Sequence, residues 1–299
     1  MQQLDTIGLP ADWLNAWLAA VGVTVLCPGV RLSWSEDPVP CARFTWSVDA
    51  PLAALIQDAL PPTDDLADLV FAELRHKIPL PVYQNSAQRT RKRSLSKRQG
   101  EDSTLAILAT DLAEPDRDGS LPTGPFNIGV SRGETLFARL RRCRDALDDG
   151  DAALAAQIER TFAGQGRRVL ANGLGFDYRR IAAPVPGEAT KFVDPVIEVL
   201  AFFGLWLFPT GGDGRRLRAR GWTGSPSKPG AFSWPAWRDP LDRWGIDSLL
   251  DLFYGRPPGS RLGRSLAPGI ALSAVYGLVP FERTGQSDPT RGYGSERLV

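Results

Sequence analysis

One histidine, His76, occurs in 299 residues, and that scarcity bears on function before anything else does. A serine nucleophile that needs a histidine base, or a metal cluster built on histidines, must find every imidazole it uses at that single position. Cysteine is nearly as scarce: Cys27, Cys41 and Cys143 are an odd number at wide spacing. They make neither a disulfide framework nor a zinc knuckle and read as small core residues. Lysine is confined to positions 77, 92, 97, 191 and 228, so almost all positive charge is arginine. The forked guanidinium suits phosphate, although a GC-rich genome, which would also supply Ala, Pro and Gly, accounts for the bias more simply. Neither sign of charge is in excess. A formal net charge of +1 leaves no global field to steer a polyanion, so a nucleic-acid role must rest on local patches. The longest apolar run, Pro195 to Pro209, is interrupted by Glu198 and falls short of the roughly 20 residues a bilayer needs. The start of the chain lacks a basic leader, an apolar stretch and a small-residue cleavage site, so a cytoplasmic location is expected.

Several catalytic signatures are missing too. There is no Gly-Lys-Ser or Gly-Lys-Thr phosphate loop and no dinucleotide glycine fingerprint. A linear divalent-metal nuclease signature needs an acid two residues before its lysine, and those positions hold Arg75, Thr90, Leu95, Ala189 and Pro226. Asp64-Asp65 and Asp148-Asp149-Asp151 lie at expected helix ends or loops, where capping and solvation explain them. The best catalytic motif is Gly129-Val130-Ser131-Arg132-Gly133, a nucleophile-elbow pattern between an expected strand and helix. Its base would have to be His76, upstream of Ser131 where a hydrolase has its histidine downstream, so a serine hydrolase using Ser131 stands as an alternative only. His76 itself reads as a capping or surface residue at a basic helix end. No cofactor, no metal and no catalytic centre is expected.

What is present is a core. With 43% hydrophobic and 23% charged residues the chain reads as one α+β domain over 1–299, or two packed lobes of about 1–112 and 124–281. Pro10 to Gly22 has the spacing of an amphipathic helix stopped by glycine, and a hairpin of Val23–Cys27 and Val30–Ser35 is expected after it, then a strand over Ala42–Val48. Helices are expected over Pro51–Leu60, Asp64–Lys77, Glu134–Leu147, Asp151–Phe162 and Pro240–Tyr254, the last with Trp244, Ile246, Leu249, Leu250 and Phe253 inward. Strands are expected at Thr104–Thr110, Phe126–Val130 and Phe176–Arg179, an apolar segment over Gly269–Phe281, and a frayed polar tail over 282–299.

The chain is organised around Asp194 to Trp237. Asp194 reads as the N-cap of a helix with Pro195 at its first position, buried nearly all round, and Gly204 and Pro209 limit its length. Arg215, Arg216, Arg218 and Arg220 follow as an arginine-bearing strand or loop, beside an aromatic layer of Trp222, Phe232, Trp234 and Trp237. Core packing explains those tryptophans better than base stacking does. A second basic region, Ser86–Gly100, holds Arg89, Arg91, Lys92, Arg93, Lys97 and Arg98 without apolar periodicity or balancing acid. It reads either as a mobile loop that orders on a polyanion or as a solvated insertion with no partner. Arg139, Arg141, Arg142 and Arg144 mark the outer face of the helix over Glu134–Leu147, which is more simply a solvated face than a phosphate track.

Leu14-Asn-Ala-Trp-Leu-Ala-Ala-Val-Gly-Val23 with Val30-Arg-Leu-Ser-Trp34, and Pro195 to Pro209 with Arg220-Gly-Trp222 and Phe232-Ser-Trp-Pro-Ala-Trp237, resemble proteins encoded with type I-G (formerly I-U) CRISPR systems. The family is the accessory one associated with the helicase-nuclease, sometimes called its extension family, or a related small effector subunit. The likeness covers about half the chain and its motifs are of core type. It implies a non-catalytic role in RNA-guided antiviral defence, with CRISPR effector subunits or the helicase-nuclease as partners and crRNA or DNA within reach. No catalytic residue carries over. The alternative from a different class is a protein–protein scaffold without nucleic-acid binding.

Overall fold

A computed structural model of the chain describes residues 1–61, 78–79, 84, 110–115, 117, 119–121, 126, 136–150, 152–171, 173–174, 192–223, 231–255, 265–267, 270–282 and 291–298. Strand β1 (Gln2–Pro10) opens the chain and is followed by helix α1 (Leu14–Leu26), β2 (Arg31–Trp34), β3 (Cys41–Trp46) and α2 (Leu52–Ala59). Next come β4 (Ile78–Pro79), β5 (Ser120–Leu121), α3 (Leu136–Asp148), α4 (Leu154–Phe162), β6 (Val169–Leu170) and β7 (Phe192–Val193). The second half holds α5 (Pro195–Gly204), the short β8 (Thr210–Gly212), β9 (Leu217–Ala219) and β10 (Trp222–Thr223), then β11 (Ala231–Trp237) and α6 (Arg243–Tyr254). It closes with β12 (Ser265–Ala267), β13 (Ile270–Glu282) and β14 (Arg291–Arg297).

The fold is α+β, with a helix near the N-terminus followed by antiparallel strands. Two sheets carry most of the pairing: a three-stranded one in the order β1-β3-β2, and a five-stranded one in which β13 pairs with β11, β12 and β14. A single bridge, Leu32 to Leu241, joins β2 to the approach of α6. Strand β1 lies ahead of the helix and was not expected. Its residues Gln3, Leu4 and Asp5 are exposed while Thr6 is buried, and its register on β3 breaks between Thr6 and Pro10. Gly8 lies in that break, against the Thr161 carbonyl at the end of α4, where a Cβ would collide.

The centre of the molecule is the pair α1 and α5. Leu14 to Val25 of α1 and all ten residues of α5 are buried. The expected amphipathic helix ending at Gly22 is therefore corrected: α1 is buried all round and runs on to Leu26, through the stretch read as a strand. Gly22 is a contact residue. A Cβ on it would overlap the Leu200 carbonyl oxygen, and a Cβ on Gly204 would overlap that of Leu18, so each helix offers a glycine to the other's backbone. Asp194 caps α5 as expected, accepting from the Val196 amide at 3.0 Å, and a 3-10 turn over Leu205–Leu207 prolongs the helix past Gly204.

Tryptophans tie the N-terminal elements to β11. Trp17, Trp34, Trp234 and Trp237 are fully buried. Trp17 Nε1 donates to the Pro235 carbonyl (2.9 Å), Trp234 Nε1 to that of Ala11 (2.7 Å) and Trp237 Nε1 to that of Leu32 (2.9 Å). An indole with its N–H satisfied adds a large apolar area to the core without an orphaned donor. Trp34 Nε1, by contrast, is buried with no acceptor among the described residues.

The expected helices over Pro51–Leu60, Asp151–Phe162 and Pro240–Tyr254 are present as α2, α4 and α6, and the apolar segment Gly269–Phe281 as β13. The tail is corrected: Arg291–Arg297 pairs with β13 from Tyr276 to Glu282 instead of fraying. The expected elements at Asp64–Lys77 and Phe176–Arg179, and all of Thr104–Thr110 but Thr110, lie outside the described residues. The same holds for the segment 86–100 and, Phe126 apart, for the strand Phe126–Val130. Among the described residues no helix is long and apolar enough to cross a membrane.

Candidate nucleic-acid interface

The arginines that follow α5 lie on a small hairpin, β8 paired with β9, whose turn is organised by Asp213. Gly-Gly-Asp-Gly at 211–214 is turn chemistry: a short acid accepts from backbone amides ahead of it, and Gly214 takes a positive φ of 88°. Asp213 Oδ1 accepts from the amides of Arg215 (3.1 Å) and Arg216 (2.8 Å), and Oδ2 accepts from Arg218 Nε (3.0 Å). Those bonds hold its carboxyl at about 2, below the ordinary 3.8. Arg215 and Arg216 stand exposed on the turn. Arg218 is exposed too and pairs with Asp213 at 2.9 Å. A pair that open to solvent is held weakly, so a competing phosphate takes Arg218 at little cost.

Arg220 has a different task. Its Nη1 donates to Asp247 Oδ1 (2.5 Å) and to the Leu207 carbonyl (2.8 Å), while Nη2 donates to the Asp247 carbonyl (2.5 Å) and to Asp251 Oδ1 (2.6 Å). Its side chain is only 12% exposed. Four bonds to fixed acceptors make it a clamp between the hairpin and α6, not a ligand for a phosphate. The four arginines read together thus divide into three at the turn and one spent on structure. The turn is also not electropositive overall: the stretch 110–115 runs beside it, with Gly214 N donating to the Leu112 carbonyl and Glu114 N to that of Arg215. Asp111 and Glu114, both exposed, accompany Asp213 there.

Helix α3 corrects a second expectation. Arg139 and Arg144 are buried, 2% and 7% exposed, while Arg141 and Arg142 face solvent. Arg139 Nη1 donates to the Leu174 carbonyl at 3.0 Å, and Leu174 N in turn donates to the buried Glu198 on α5. Glu198 also accepts from Asn15 Nδ2 at 2.7 Å, so a buried polar chain links α3, the 173–174 turn, α5 and α1. The four arginines do not form one phosphate-facing stripe.

The aromatic layer is core at Phe232, Trp234 and Trp237, with Trp222 half-buried against Phe126 and Phe232. Trp244 departs from expectation. It is 68% exposed, and the Arg243 guanidinium lies 4.9 Å from its ring centroid. The inward ridge of α6 is Ile246, Leu249, Leu250 and Phe253, and a position two residues before Ile246 falls on the opposite side of a 3.6-residue turn.

Arg89, Arg91, Lys92, Arg93, Lys97 and Arg98 lie outside the described residues, as do Ser131 and His76. Cys27 and Cys143 are buried, and burial pushes the Cys27 thiol up to about 12, which leaves it inert. Among the described residues no group of three or more His, Cys, Asp or Glu side chains could hold a metal ion. Sequence reasoning missed Asp213, Asp247 and Asp251; the first was legible as a turn former, while the other two share a helix face at i and i+4 but give no sign of a partner some 30 residues away. The chain matches no protein-family model, no curated protein and no solved structure.

Proposed function

We propose that this chain is a non-catalytic accessory protein or subunit of a type I CRISPR interference complex, cytoplasmic, and that it meets nucleic acid through the arginines of the β8–β9 turn together with the Arg89–Arg98 segment. One observation supports the family reading above others. The separate stretches that carry the resemblance fold against one another: α1 on α5 through Gly22 and Gly204, Trp17 on Pro235, Trp237 on Leu32. Core motifs spaced across some two hundred residues therefore belong to one packed unit, as they would if they were inherited together. The turn arginines add a small, rigidly presented phosphate contact.

The test is binding of single- and double-stranded DNA and of RNA across a salt series. Each phosphate neutralised contributes a fixed decrement to the salt slope, so Arg215→Glu with Arg216→Glu is expected to flatten it by about two phosphates' worth. Charge reversal at Arg91, Lys92 and Arg93 is expected to weaken binding further. Salt-insensitive or absent binding overturns the nucleic-acid part. Failure to co-purify with effector subunits or the helicase-nuclease overturns the assignment to the complex. The acids around the turn favour one second reading, a protein–protein scaffold: with Asp111, Glu114 and Asp213 beside Arg215, Arg216 and Arg218, the surface has the mixed charge of an interface rim. Co-purification without nucleic-acid binding distinguishes it.

A further inference from the structure

Trp244 is a large indole left in water on the side of α6 opposite its buried ridge. Trp244 and Asp247 are three residues apart and share a face of α6, and Asp247 is where the Arg220 clamp fastens the hairpin to that helix. Asp251, the clamp's other acid, lies one turn, about 6 Å, further along the axis than Asp247. The other flank carries cations as well. The bridge between Leu32 and Leu241 sets Arg31 across from Asp242, one residue before Arg243. Arg31 is exposed and makes no ion pair among the described residues. The neighbouring acids are engaged: Asp242 caps α6 by accepting from Gly245 N (2.9 Å), Glu36 pairs with Arg238 (3.3 Å), and Asp247 and Asp251 hold Arg220. Asp239 makes no ion pair among the described residues.

From this geometry we infer that Trp244 is a stacking platform for an unpaired base of single-stranded nucleic acid, with Arg31 and Arg243 beside it for the adjoining phosphates. The Arg243 guanidinium lies over the indole at 4.9 Å and braces it, leaving open ring for a base. Stacking is indifferent to base identity, so the platform reads single-strandedness and not sequence. The inference rests on the nucleic-acid part of the proposed function and names the residue that reads the base.

The test uses the full chain with a dT and an rU homopolymer of about a dozen nucleotides, and a duplex of the same length as control. Trp244→Ala is expected to weaken binding of the homopolymers roughly 5- to 100-fold, and Trp244→Phe, which keeps a stacking ring, to restore most of the loss. The homopolymers are expected to quench part of the wild-type tryptophan fluorescence, and Trp244→Phe to abolish that part; the fully buried tryptophans stay silent. Equal effects on dT and rU assign the site to either strand type, while an effect on one alone narrows it to that type. If wild type binds in a salt-sensitive way and Trp244→Ala binds equally well, the platform is wrong and the arginine-turn reading stands. If neither protein binds any strand, both fall. If Trp244→Ala leaves strands unaffected but loses a co-purifying subunit, the site is a protein contact and the inference is overturned. Since Trp244 is exposed, its variants are expected to melt with wild type, which separates these outcomes from misfolding.

Discussion

Replacing Gly22 by alanine tests the account of the core most directly. On an isolated helix the change is favourable by about 1 kcal/mol, because alanine loses less backbone entropy than glycine. Here the new Cβ overlaps the Leu200 carbonyl oxygen. The obstruction is helix backbone, which cannot rotate aside as a side chain would. Helices α1 and α5 must part by on the order of 1 Å, and a gap of that size forfeits a quarter to a half of the dispersion attraction at each contact along the seam. Overpacking of this kind costs about 1–3 kcal/mol; with the whole seam involved, the upper end is expected, for a net loss of about 2 kcal/mol. Gly204→Ala meets the Leu18 carbonyl in the same way and is expected to cost about the same. Because both open one seam, the double variant is expected to cost less than the sum of the two. Urea unfolding reads the free energies, and thermal midpoints are expected to fall by roughly 3 °C per single variant. Gly211→Ala is the control: its Cβ would sit at an ordinary 3.8 Å from the Arg218 carbonyl, and a change within about 0.5 kcal/mol is expected. A Gly22→Ala protein as stable as wild type, or strictly additive costs, would refute the close-packed seam.

Further expectations concern single side chains. Trp237→Phe removes a bonded indole N–H whereas Trp34→Phe removes an orphaned one, so the Trp34 variant is expected to be the milder by about 1–2 kcal/mol in chemical denaturation. Asp194 is pushed up from 3.8 to about 6, chiefly by burial, which outweighs its bonds from Thr161 and the α5 amides. Its folded-state value being raised, the stability it contributes is fully present below about pH 3.8 and is lost as pH rises through about 6. That amounts to at most about 3 kcal/mol. Asp194→Asn, which keeps a cap, is expected to flatten this part of the stability profile, and a carboxyl titrating near 4 by NMR would contradict it. Arg220→Ala breaks four bonds and leaves Asp247 without its partner, so a loss of about 1–3 kcal/mol is expected, with earlier proteolytic cleavage in the β8–β9 hairpin. Asp213→Ala frees Arg218 and removes one negative charge, and is expected to tighten polyanion binding at low salt; unchanged or weaker binding counts against a phosphate role for the turn.

Much of the local structure was legible because it depends on neighbours in the chain. Asp194-Pro195 announces a helix start through an acid that can accept backbone amides and a residue with no amide to lose, and α5 begins there. The apolar spacing of α6 found its buried ridge but was stretched to include Trp244, which helical periodicity puts on the far side. Gly22 misled because a glycine that ends a helix and a glycine that admits another helix look the same in one dimension. The arginines misled for a related reason: charge counted along the chain ignores Asp213, which tethers Arg218, and Asp247 and Asp251, which immobilise Arg220.

By itself the order of residues determined where helices start, which runs are too apolar to face water, and that the cationic character is carried by guanidinium groups. These follow from backbone sterics, capping and hydrophobic periodicity, whose range is a few residues. Only the tertiary structure decided which glycines lie in a helix seam, which arginines keep their donors free, and which tryptophan meets solvent. Each of those depends on a partner brought from a distant part of the chain, and short-range rules hold no information about what that partner will be.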